Sequence, residues 1–177
     1  MSVLFNSAPR GSRAVRRGRR PDHVPAAELL RVVRAIADDP LRWEPIVELP
    51  DGSDRWWTRL YAGERFDLWL LSWLPGGGTD LHDHGPSAAA FSVVRGALSE
   101  VRVDRHGRSS THIRRAGSAT ALDRGVIHDV NGTGDGPAVS IHAYSPPLRE
   151  MTFFSRDDKG VPRLLRTAQT KQPELVP

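Results

Sequence analysis

Apolar positions along this chain recur with two periods, and the change between them divides it. Over residues 25–38, Leu29, Val32, Val33 and Ile36 form the stripe of an amphipathic helix, with Pro25 suited to the first turn, the acid Asp22 just ahead and Pro40 as the stop. From Trp56 onward the period shortens to two. Short apolar or alternating runs at residues 56–61, 65–74, 90–95, 98–104, 109–115, 118–122, 127–130, 138–144 and 151–155 are separated by turns containing Gly, Pro or Asp. That rhythm predicts an all-β sandwich or barrel preceded by one short helix. The near-continuous apolar run 66–74 is expected as a central strand buried on both faces. Residues 163–177 read as a loose tail and residues 1–21 as a basic leader, leaving a single domain over 22–162 with no internal repeat.

Charge changes that picture only at the front. The formal net charge is +4, from 25 basic and 21 acidic residues, but Arg10, Arg13, Arg16, Arg17, Arg19 and Arg20 precede the first acid, Asp22. Without those six arginines the remainder carries 19 basic against 21 acidic residues and is nearly neutral. The cluster reads as a solvated leader, since no aromatic residue interleaves it to stack on bases, and nucleic acid is not an expected partner. No apolar run is long enough to span a bilayer, and the first twenty residues lack a secretory signal. A cytoplasmic location is the default expectation. With no cysteine in the chain, disulfides play no part.

The candidate chemistry is concentrated in histidines. His82 and His84 are one residue apart, so on an extended segment both imidazoles leave the same face. His128 follows the turn signal Asp123-Arg124-Gly125 and opens an alternating run, so a neighbouring strand can add a third imidazole. Gly76-Gly77-Gly78 precedes the pair as a tight turn, without the lysine that a phosphate-binding loop requires. Downstream, Ser140, His142 and Tyr144 alternate on one strand face, followed by Ser145 and two prolines. His142 suits either a fourth ligand or a partner that orients Tyr144, and its position between serine and tyrosine favours the second. Upstream, Arg59 in Trp57-Thr58-Arg59 lies on a strand with one face inward, and suits either a solvated position or a carboxylate partner. His23, His106 and His112 read as surface histidines at turns and edges.

The spacing from Gly76 through His82 and His84 to Gly96, followed by Gly117, Gly125, His128 and Asn131, resembles the two-part signature of the cupin superfamily. Its acidic position falls on Ala89, its turn proline is replaced by Asp123, and the step from His128 to Asn131 is one residue short. With Ser-x-His-x-Tyr and Arg59 added, residues 56–155 resemble the thiol dioxygenase branch, and specifically the cysteine dioxygenases. The resemblance implies a jelly roll in which His82, His84 and His128 hold one ferrous iron per chain. It implies that Arg59 meets the substrate carboxylate, and that Ser140 and His142 support Tyr144 beside the substrate. Some family members link a cysteine to that tyrosine, and this chain has none. Without a ligating carboxylate the ion's charge is offset by the substrate, which a thiolate suits. The implied reaction takes L-cysteine and O2 to cysteine sulfinate. Two alternatives stand beside it: a dioxygenase for 3-mercaptopropionate, whose relatives usually carry glutamine in place of Arg59, and a non-catalytic metal-binding cupin that senses a small ligand. Oligomeric state is left open.

Overall fold

The stripe of Leu29 and Val33 belongs to α1 (Ala26–Ala37), which the computed structural model shows lying on the outer face of a five-stranded antiparallel sheet. The structure describes residues 23–51 and 55–170, so the basic leader and Asp22 lie outside the described residues. Pro25 is the N-cap in extended conformation, and two short 3-10 turns, Pro40–Arg42 and Glu44–Ile46, follow the helix. Among the described residues no helix is long and apolar enough to cross a membrane.

The strands are β1 (Arg55–Ala62), β2 (Asp67–Trp73), β3 (His82–Asp83), β4 (Ala88–Arg95), β5 (Ala97–Val103), β6 (Ser109–Arg115), β7 (Ala119–Leu122), β8 (Ile127–Thr133), β9 (Ala138–Ser145), β10 (Glu150–Arg156) and β11 (Pro162–Gln169). They form two antiparallel sheets, ordered β1-β2-β9-β4-β7 and β11-β10-β3-β8-β5-β6. This is the expected jelly roll. As the run 66–74 implies, every residue of β2 is buried. Trp69, Leu71 and Trp73 point between the sheets to meet Phe91, Leu98, Val130 and Met151. Leu68 and Leu70 point outward and meet Leu29 and Val33 of the helix. The sheet is thus covered on both faces, which is why β2 and β9 lack an exposed phase. Fully burying side chains of the size of Leu29 and Val33 contributes about 1.5–3 kcal/mol each.

Two elements depart from the sequence reading. The segment from residue 163 is not a loose tail: Pro162–Gln169 pairs along β10, with a bulge at Phe153/Phe154. Its alternation is hidden because Leu164 and Leu165 are both exposed while Ala168 packs against the core. Residues 171–177 lie outside the described residues. The first histidine segment is also shorter than a regular strand. β3 comprises two residues, wedged between β10 and β8. The path into β3 is set by a close approach at Gly78, which bridges to Asn131; a β-carbon there would overlap the Asn131 side chain. The Ser145–Pro146 peptide bond is cis.

Candidate active site

Antiparallel pairing of β3 and β8 sets His82 directly opposite His128, and His84 follows two residues on. The three rings gather with centroids 4.7 Å (82 to 128), 5.0 Å (82 to 84) and 5.1 Å (84 to 128) apart. One nitrogen from each lies within 4.8 Å of the others, and all three side chains are buried. Desolvation, followed by the charge of His128, pulls the His82 pKa down to about 3, and burial with the same neighbours holds His84 well below the ordinary range. Neutral rings keep lone pairs available to a cation. His82 Nδ1 lies 2.7 Å from the Asp80 carbonyl oxygen, which can only accept, so Nδ1 carries the proton and Nε2 is left bare.

His128 Nδ1 stands 3.2 Å from Glu100 Oε1, while its Nε2 is buried without a hydrogen-bond partner. An orphaned buried polar atom costs about 1–3 kcal/mol, and a metal ion would remove that cost. Three imidazoles suit iron, zinc, copper or nickel by ligand type, so the residues fit a mononuclear metal site. Glu100 is wholly buried on β5. Burial alone would raise its pKa, but hydrogen bonds from His128 and Arg102 outweigh that and hold it at about 2.

The opposite wall is β9. Trp73 Nε1 donates to Ser140 Oγ at 2.8 Å, and Ser140 Oγ lies 2.8 Å from His142 Nε2. Indole can only donate, so the serine oxygen accepts from Trp73, and its contact with His142 Nε2 forms with either atom as donor. His142 Nδ1 lies 3.4 Å from the Tyr144 oxygen, a long contact. Phe91 stacks on His142 with centroids 5.0 Å apart, fixing the ring plane. Desolvation lowers the His142 pKa to about 3, and burial with the nearby Asp67 carboxylate pushes that of Tyr144 up. Tyr144 is thus a neutral donor, its ring 4.9 Å from that of His84. His142 stands outside the three-histidine group, with both nitrogens engaged. A cavity of about 10 Å³, close to the least space that can hold one water, lies among His82, His84, His128, His142 and Tyr144.

Arg59 is farther out than a pocket shielded from water would require. It is exposed, its guanidinium 4.3 Å from the centre of the Trp69 ring. With Asp67, Phe66 and Leu148 it lines a separate cavity of about 800 Å³. Asp67 is the register partner of Tyr144, so this cavity adjoins the tyrosine. Asp67 is 3% exposed, and its Oδ1 has no hydrogen-bond partner. Burial raises its pKa, opposed by Trp69, the Leu148 backbone and Arg59. Glu100, Asp67 and Trp73 escape the motif reading. The available signal was phase: Glu100 and Asp67 are acids at inward-facing positions, aligned with Leu98 and Trp69 on their strands.

Compared with known proteins, residues 15–157 match the family described as cysteine dioxygenase type I. The chain is 27% identical to cysteine dioxygenase type 1 of Rattus norvegicus over 147 residues, covering 76% of this chain and 72% of that protein. The Homo sapiens protein gives the same identity and coverage, and the Danio rerio protein is 25% identical over 176 residues, covering 84% and 86%. Among solved structures, an oxalate oxidase in complex with the substrate analogue glycolate superposes with a TM-score of 0.54 at 16% identity, covering 63% of this chain and 61% of that one. The cupin domain of Schizosaccharomyces pombe Cnp3 gives 0.50 at 13% identity, covering 58% and 70%. This chain therefore spans less than two thirds of the oxalate oxidase, and these two structures carry the fold alone.

Proposed function

Since the chain belongs to the cysteine dioxygenase type I family of cupins, and is thereby an enzyme of the thiol dioxygenase type, we propose that it oxidises L-cysteine with O2 to cysteine sulfinate. The observation that carries this reading is the meeting of two walls: three buried histidines on one, and on the other a hydrogen-bond chain that ends in the Tyr144 hydroxyl. In this reading His82, His84 and His128 hold one ferrous iron. When bound, the ion favours the thiolate over the thiol and gives sulfur and dioxygen a common centre.

The chain's own residues do the rest. His82 keeps Nε2 free by donating Nδ1–H to the Asp80 carbonyl, so that ligand needs no tautomeric change to bind. Tyr144 remains protonated because it is buried beside Asp67, and its O–H stabilises charge that develops on oxygen during transfer. Ser140 and Trp73 fix His142, and His142 Nδ1 steadies the position of the Tyr144 oxygen. Arg59 meets the substrate carboxylate with a charge-assisted fork, its stacking on Trp69 limiting where the guanidinium can go. The balance is that one thiol and one O2 give one sulfinic acid: both oxygen atoms are bonded to sulfur, which supplies the four electrons. A cytoplasmic location belongs to the same proposal.

The test is oxygen consumption by the iron-loaded protein against a panel of small thiols, with products identified by mass. Cysteine should be consumed one-to-one with O2 and gain two oxygen atoms. Because Arg59 is exposed, its charge-assisted contact carries about 1.5–3 kcal/mol at most, so Arg59→Ala should lower kcat/KM for cysteine by up to roughly 10–100-fold without loss of iron. Faster turnover of 3-mercaptopropionate than of cysteine, with Arg59→Ala silent towards both, would overturn the assignment.

A further inference from the structure

Glu100 is a carboxylate with no exposed surface that receives hydrogen bonds from three side chains. Arg102 Nε and His128 Nδ1 reach Oε1 at 2.9 and 3.2 Å. Arg114 Nη2 and Nε reach Oε2 at 2.7 and 3.0 Å, and Arg102 Nη2 reaches it at 3.2 Å. Arg102 is itself tied across the sandwich to Thr120 Oγ1 at 2.7 Å. Such a cluster is costly to desolvate, and well-packed apolar residues at the same positions would serve stability as well or better. What the cluster touches is therefore informative, and Glu100 touches the ring of His128.

The two arginines matter because of what they forbid. With both carboxylate oxygens turned toward guanidinium donors, Glu100 has nothing to donate and can only accept. His128 must then supply a hydrogen from Nδ1, and its bare nitrogen is Nε2, the atom left buried without a partner on the side of His82 and His84. We propose that Glu100 is a positioning residue for the metal centre: it holds His128 in the Nδ1–H tautomer, with Nε2 aimed at the ion, and lends an all-histidine ligand set a carboxylate one ring away. The absence of an acid at position 89, where the cupin signature has one, is thus met from β5, through a ligand. This inference rests on the reading of the three histidines as a metal site.

The experiment reads the tautomer and the metal separately. In metal-free protein carrying 15N-labelled histidine, long-range proton–nitrogen correlations should give His128 as Nδ1–H; a bare Nδ1 in the unmodified protein overturns the proposal, whether or not any variant folds. Glu100→Gln should disturb that tautomer and weaken Co(II) binding about 10–100-fold, the loss typical when the partner of a ligating histidine is removed. Leu29→Ala is the control, since Leu29 is fully buried against the outer face of the other sheet, away from Glu100 and His128. It should lower the unfolding temperature and leave the His128 tautomer and Co(II) affinity as they were. Equal losses of affinity in both variants would assign Glu100 to packing and overturn the proposal. Failure of the unmodified protein to bind Co(II) or Fe(II) would instead remove the metal reading, and this inference with it.

Discussion

At the scale of single residues, the site is defined by which atoms have hydrogens to give. Tyr144 ends a chain that starts at an indole N–H, and its ring stands beside that of His84. Tyr144→Phe should retain the metal and lose about 10²-fold in turnover, the scale of one lost transition-state donor; steady-state rates alongside metal analysis check this, and an unchanged rate would reduce Tyr144 to packing. Asp67 makes a second case. Its folded-state pKa is raised, so the stability linked to its neutral form is present at low pH and is lost as pH rises through the raised value. Asp67→Asn should accordingly be more stable than the unmodified protein at pH 7 and indistinguishable from it near pH 4, measured by urea unfolding at both. The opposite order at pH 7, with the Asp67→Asn variant the weaker of the two, would show that Arg59 and Trp69 more than offset burial. The histidine and Ser-x-His-x-Tyr groups were legible because their spacings of two residues coincide with strand geometry. Glu100 and Asp67 were not, because a charge on an inward phase becomes meaningful only when the strand across from it is known.

At the scale of elements, turn residues and period carried most of the fold. The boundaries of β6 are those read from the alternation, and β4 begins two residues before its expected start because Ala88 and Ala89 supply little hydrophobic signal. Small side chains there have a physical reason: Ala88 and Ala90 face the helix, and Ala89 lies in register with Tyr144. β11 escaped because it keeps Leu164 and Leu165 in solvent, and the strand expected at the histidine pair is cut to two residues, β3. The helix lies on the outside of the sheet whose inner face carries Tyr144, so its packing and the chemistry are separable. Leu29→Ala, at a fully buried position, should cost about 2–5 kcal/mol of stability. Chemical denaturation should reveal that loss while metal affinity at 25 °C stays within error; a parallel loss of affinity would mean that the helix supports the site directly.

At the scale of the whole molecule, the buried histidines make stability a function of pH and of metal. His82 and His142 hold their folded pKa values near 3, below the ordinary value of 6.5, so the stability they carry is present above pH 6.5 and lost as pH falls toward 3. In metal-free protein each such group should contribute a slope of about 1.4 kcal/mol per pH unit across that window. A metal present at about 100 times its dissociation constant should add about 2.7 kcal/mol at neutral pH. Thermal unfolding with Co(II) and with chelator, repeated at pH 7.5 and pH 5, should give a large gap at the first and a small one at the second, since protons compete for the same nitrogens. A gap that did not shrink on acidification would exclude histidine ligation. The division of labour between the walls has a further consequence. His82 and His128 hang from the six-stranded sheet and Tyr144 from the five-stranded one, joined chiefly by the apolar filling between them. That filling is the shim in a pair of callipers: side chains such as Phe153 and Leu122, in the core between the sheets, gauge the gap between the histidine group and the Tyr144 hydroxyl.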